Sequence, residues 1–95
     1  MFIIELTYKV PLEQVDAHLE SHIEFLNKHF EAGNFIASGR KVPRDGGIIL
    51  AVANDRKELE NIIAQDSFYI NNLADYKITE FVASKKVANI ESLIA

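Results

Sequence analysis

Three histidines and one oddly placed aspartate are the residues of this chain best suited to chemistry. His18, His22 and His29 all fall within HLESHIEFLNKHF, residues 18–30, so a single helix would carry them. His18 and His22 stand four apart, a spacing that can set two imidazoles over one ion. The pair lacks the glutamate of an H-E-x-x-H pattern and no third ligand is evident, so no metal site is expected. Asp66 closes an amphipathic stretch in IIAQDSFY. A helix C-terminus disfavours a carboxylate, because the macrodipole leaves partial negative charge there. Asp66 can cap the following turn through the amides of Ser67 and Phe68. It can instead accept a proton from an imidazole, fixing the tautomer and raising the basicity of the ring.

The elements that would position these groups can be read along the chain. FIIELTYKV (2–10) is rich in β-branched and aromatic residues and reads as a strand that Pro11 stops. From Leu12 the period changes to that of a helix: Leu12, Val15, Leu19, Ile23, Leu26 and Phe30 form one arc. Gly33, in EAGN, suits the left-handed residue that ends such a helix. At roughly 100° per residue His22 lies inside the arc, while His18 and His29 lie at its edges, nearer solvent. Taken alone, His22 is ordinarily a structural residue bonded to a carbonyl or to the sheet.

FIASGRKV (35–42) reads as a second strand, PRDGG (43–47) as a turn and IILAVA (48–53) as a buried central strand. NDRKELENIIAQD (54–66) reads as a helix capped by Asn54 or Asp55, followed by a loop or helical turn at 67–74. YKITEFVAS (76–84) is the last strand, and the tail 85–95 is weakly helical and able to dock on a partner. The order β-α-β-β-α-β specifies an α+β, ferredoxin-like antiparallel sheet with two helices on one face. The 95 residues form one domain, with a core over 2–83 and a tail over 84–95. Apolar strand residues on the helix-free face would be left wet, so a homodimer through that open face is expected.

Composition excludes several classes. The chain has no cysteine, which removes disulfides and thiol catalysis, and its net charge of −4 argues against nucleic acid and anionic membranes. MFIIELTYKV meets Glu5 after four residues and has no basic start, so neither a signal peptide nor a membrane span is expected and the default location is the cytoplasm.

The combination of HIEFL around His22, AGNFIASG (32–39), GGIILAV (46–52), DSF (66–68) and ITEF (78–81) resembles the YciI-like, or YCII-related, domain family. The resemblance spans about residues 2–82. It implies a dimeric α+β barrel, in which two ferredoxin-like sheets pack face to face. It also implies an active-site dyad that falls by motif on His22 and Asp66. Some relatives are dehydrochlorinase-type enzymes acting on ring substrates. Ser67 stands where relatives commonly have proline, and Arg40 follows Gly39 where many have proline.

The function expected is cofactor-free acid–base chemistry, with His22 moving a proton on a small cyclic or carbonyl substrate and Asp66 orienting the ring. Ser38 and Arg40, near the end of the second strand, are candidates for binding an anionic group of that small molecule. Tyr8 and Tyr69 are candidates for lining the cavity. The alternative is a non-catalytic module that binds a small ligand, or a structural dimer.

Overall fold

The computed structural model describes residues 1–90. Strand β1 (Phe2–Tyr8) is the centre of the molecule. Successive strand side chains point to opposite faces, so Phe2, Ile4 and Leu6 all turn towards the helices, where none is more than 2% exposed. Antiparallel pairing joins β1 to β3 (Gly46–Ala51) on one side and to β4 (Ala74–Glu80) on the other. Strand β2 (Phe35–Arg40) pairs with the far edge of β3, giving the order β2-β3-β1-β4. This is the ferredoxin-like arrangement expected from the sequence.

The strands meet closely at one point. A Cβ on Gly46 would lie 1.7 Å from the Leu6 carbonyl oxygen, so only glycine lets β3 approach β1 at that register.

The helix expected as one piece is two, α1 (Leu12–Ala17) and α2 (Leu19–Glu31). The break falls at His18, with φ −111° and ψ 9°. The His18 carbonyl there accepts from the His22 amide at 3.1 Å, from Ser21 Oγ at 3.0 Å and from Ser67 Oγ at 3.3 Å. Gly33, at φ +81°, follows the C-cap of α2 in the left-handed region as its sequence position indicated.

Helix α3 (Arg56–Ile63) opens on Asp55, whose carboxylate accepts from the Glu58 amide at 2.8 Å, and buries Leu59, Ile62 and Ile63. It stops three residues short of its expected end, which leaves Gln65 and Asp66 in a corner ahead of α4 (Ser67–Ile70). Strand β4 starts two residues earlier than expected and ends at Glu80, and residues 81–89 contain neither strand nor helix. The rest of the expected helical tail, 91–95, lies outside the described residues.

The helix-free face of the sheet carries Ile3, Ile48 and Leu50, all half-buried, with Glu5, Thr7 and Lys77 around them. Lys41 spans this edge, donating to Glu5 at 3.2 Å and to Thr7 at 3.1 Å. Among the described residues no helix is long and apolar enough to cross a membrane.

Candidate functional site

Helix α2 presents two neighbouring faces rather than one. His22, Phe25 and His29, at helical spacing i, i+3 and i+7, form the packed face. Phe25 meets the ring of Phe35 from β2 at 5.6 Å, in an edge-to-face arrangement that aromatic pairs favour. Leu19, Ile23 and Leu26 form the other face and wall a cavity, with Leu19 and Leu26 also packing against the core. That corrects the expected burial: Ile23 is 45% exposed, because its stripe borders an open space.

His29 is corrected too. Expected nearer solvent, it is only 4% exposed. Its Nε2 lies 3.0 Å from Gln65 Oε1, and the Asn34 amide donates to its Nδ1 at 3.0 Å. Those partners define a neutral ring with the proton on Nε2. Lys28 also donates to Gln65 Oε1 at 3.0 Å. Helix α2 thus grips the corner between α3 and α4 at Gln65, immediately beside Asp66.

His22 sits where the two faces of α2 meet. The structure brings its Nδ1 to 2.7 Å from Asp66 Oδ1, 44 residues away in the chain. Its ring stacks on Phe68, with centroids 3.9 Å apart and planes inclined by 2°. The stack fixes the ring plane and the hydrogen bond fixes its rotation. Nδ1 therefore donates to the carboxylate, and Nε2, with no hydrogen-bond partner among the described residues, is left as the free lone pair of a ring that lines the cavity.

Asp66 is fully buried. It caps α4 by accepting from the Phe68 amide at 3.1 Å, and it accepts from His22 at the same oxygen. Both roles read from the sequence as alternatives are held at once. Its second oxygen, Oδ2, accepts from the Tyr76 hydroxyl at 2.5 Å. Burial, then the Asp66 charge, push the Tyr76 phenol well above the usual tyrosine range, so it stays a donor. Ser67 contributes the 3.3 Å bond to the His18 carbonyl, a tether between α4 and the break in the first helical segment.

The cavity measures about 530 Å³, within the range that small-molecule sites occupy. It lies between α1–α2 and the β1–β3–β2 side of the sheet, with Leu6, Leu19, Leu26 and Ile49 among its apolar walls. Ser38 and Arg40 both line it, as does Tyr8, whereas Tyr69 does not and packs edge-on against Tyr76 at 5.6 Å. The Arg40 guanidinium has no carboxylate partner among the described residues. Arg44, from the turn between β2 and β3, is a second cation on the wall, held 2.6 Å from Asp16 of α1. Among the described residues no group of three or more His, Asp or Glu side chains converges to hold a metal.

Sequence reasoning missed Tyr76, Arg44 and the His29–Gln65 link. Arg44 stood inside turn chemistry, which hid its charge. Nothing in the spacing of Tyr76 tied it to Asp66, since only the sheet register, opposite Leu6, directs it at the corner.

The YCII-related domain matches residues 1–82 of the chain. No curated protein sequence matches it. Among solved structures, the chain is similar in fold to 5-chloro-2-hydroxyhydroquinone dehydrochlorinase TftG from Burkholderia phenoliruptrix AC1100, solved with 2,5-dihydroxybenzoquinone. The TM-score is 0.72 at 13% identity, over 86% of this chain and 94% of the other.

Proposed function

The chain belongs to the YCII-related domain family, and from that premise we propose that it is a small cofactor-independent enzyme. His22 is its general base and Asp66 the group that orients and supports the ring. The observation that carries this reading is the bond from His22 Nδ1 to a buried carboxylate beside a cavity, which leaves Nε2 free to act. In the proposed reaction Nε2 takes a proton from a hydroxyl or an activated carbon of a small cyclic or carbonyl substrate. The electron pair left behind delocalises into the conjugated carbonyl. It then either expels a leaving group with its bonding pair or recaptures the proton at another atom, which is lyase- or isomerase-type chemistry.

Ser38 and Arg40 receive the anionic oxygen that develops, while the charge of Arg44 is offset by its pair with Asp16. The apolar walls exclude water and favour a planar ring. The dehydrochlorinase of similar fold, whose structure holds a dihydroxybenzoquinone, makes substituted hydroquinones and hydroxyquinones the first compounds to try.

The protein acts as a homodimer in this reading, with the Ile3, Ile48 and Leu50 face of one sheet covered by that of a second copy. The two sheets would then close a barrel. We place it in the cytoplasm.

The experiment is a panel of such quinones and of ring carboxylates, screened by thermal shift and then for product. Turnover should fall by about 10²- to 10⁴-fold in His22→Ala, and by less in Asp66→Asn. A compound that stabilises the protein and is recovered unchanged at all pH values would instead mark a binding module.

A further inference from the structure

We infer that Tyr76 is a positioning residue of this site: by donating to the second oxygen of Asp66 it holds back part of the carboxylate's charge from His22 and so sets the pH at which the imidazole takes its proton. The inference rests on the reading of His22 as the proton-carrying group.

Tyr76 lies on β4, and its hydroxyl reaches Asp66 Oδ2 at 2.5 Å while Oδ1 serves His22 and the Phe68 amide. The phenol does not line the cavity, so it touches no ligand and can act only through Asp66. A donor on one oxygen of a carboxylate draws charge towards itself and weakens what the other oxygen offers to an imidazolium. Without that donor the His22–Asp66 pair binds its shared proton more tightly. Because burial and Asp66 hold the phenol in its protonated form, the donor is present throughout the range in which an imidazole titrates. The other titratable groups facing His22 are Tyr8 from β1, Asp16 from α1, Arg40 from β2 and Arg44 from the following turn, with His18 one turn back in the chain. None of them contacts Tyr76 through a hydrogen bond, so a change at Tyr76 reads its effect on Asp66.

The test follows the three imidazoles by NMR through a pH titration of the full chain. In Tyr76→Phe the His22 midpoint should rise by about half a pH unit or more, while His18 stays fixed. Site-specific 3-fluorotyrosine at position 76, a stronger donor of nearly the same shape, should move the midpoint the other way. This second sample keeps the test decisive if Tyr76→Phe folds poorly. A His22 midpoint unmoved by the fluorotyrosine, while Asp66→Asn lowers it, would overturn the role of Tyr76 alone. A midpoint unmoved by Asp66→Asn would overturn the reading of the site on which it depends.

Discussion

Burial strips Asp66 of water, and three protein donors take the place of that water: the His22 ring, the Tyr76 hydroxyl and the Phe68 amide. Removing the acceptor leaves those donors buried and unpaired, so Asp66→Ala should cost about 3–5 kcal/mol in urea unfolding. Asp66→Asn, which keeps the shape, should cost less. Tyr76 sets a limit at the alkaline end. Its phenol is raised in the fold but titrates near 10 when unfolded. Above about pH 10 the unfolded chain therefore releases a proton that the folded chain keeps, and stability falls by up to about 1.4 kcal/mol per pH unit for this group. The contribution is complete below pH 10 and is lost as pH rises beyond it. Unfolding measured from pH 9 to 11 should show a shallower decline in Tyr76→Phe than in the wild type. His22 and Asp66 stood out in the sequence because an imidazole within an apolar arc and a carboxylate at a helix end both ask for a partner. Tyr76 gave no such signal, since a tyrosine in a strand is ordinary core or surface material.

Helix α2 does two jobs at once, and its apolar pattern alone does not separate them. Leu19, Ile23 and Leu26 wall a cavity, Leu19 and Leu26 packing against the core as well, while the more deeply buried face carries His22 and His29 beside Phe25. A reading that equates apolar with packed therefore turns the helix towards the wrong residues, and it placed His29 near solvent. The break at His18 was hidden for a related reason: nothing in LEQVDAHLESH stops a helix, and the His18 carbonyl is claimed from outside by Ser67. The buried His29 link to Gln65 holds the corner that presents Asp66. His29→Leu, which keeps the bulk but removes the bonds to Gln65 and Asn34, should destabilise the fold by about 0.5–1.5 kcal/mol in thermal or urea unfolding. Glycine at 46 is demanded by backbone contact, because the added methyl of Gly46→Ala would meet the Leu6 carbonyl. That variant should lose more than about 3 kcal/mol, or fail to fold, as judged by circular dichroism.

At the scale of the molecule, four strands in the order β2-β3-β1-β4 were legible because each hydrophobic run alternates or ends in turn residues. The cavity was legible only as a place between helices and sheet, since its volume depends on how far α2 stands off from β2 and β3. The open face, with Ile3, Ile48 and Leu50 half-buried in the single chain, should be covered by a second copy. Light scattering should then give twice the chain mass, and Ile48→Glu should give one chain mass with its fold retained. Both halves of such a dimer keep their own His22, so the site chemistry remains a property of one nitrogen pair. The nitrogen NMR spectrum of the His22 imidazole, recorded above its titration range, reads that pair most directly. Wild-type protein should show the proton on Nδ1 with Nε2 bare, and Asp66→Asn should move it to Nε2. A wild-type ring already carrying its proton on Nε2 would contradict the assignment of His22 as the base.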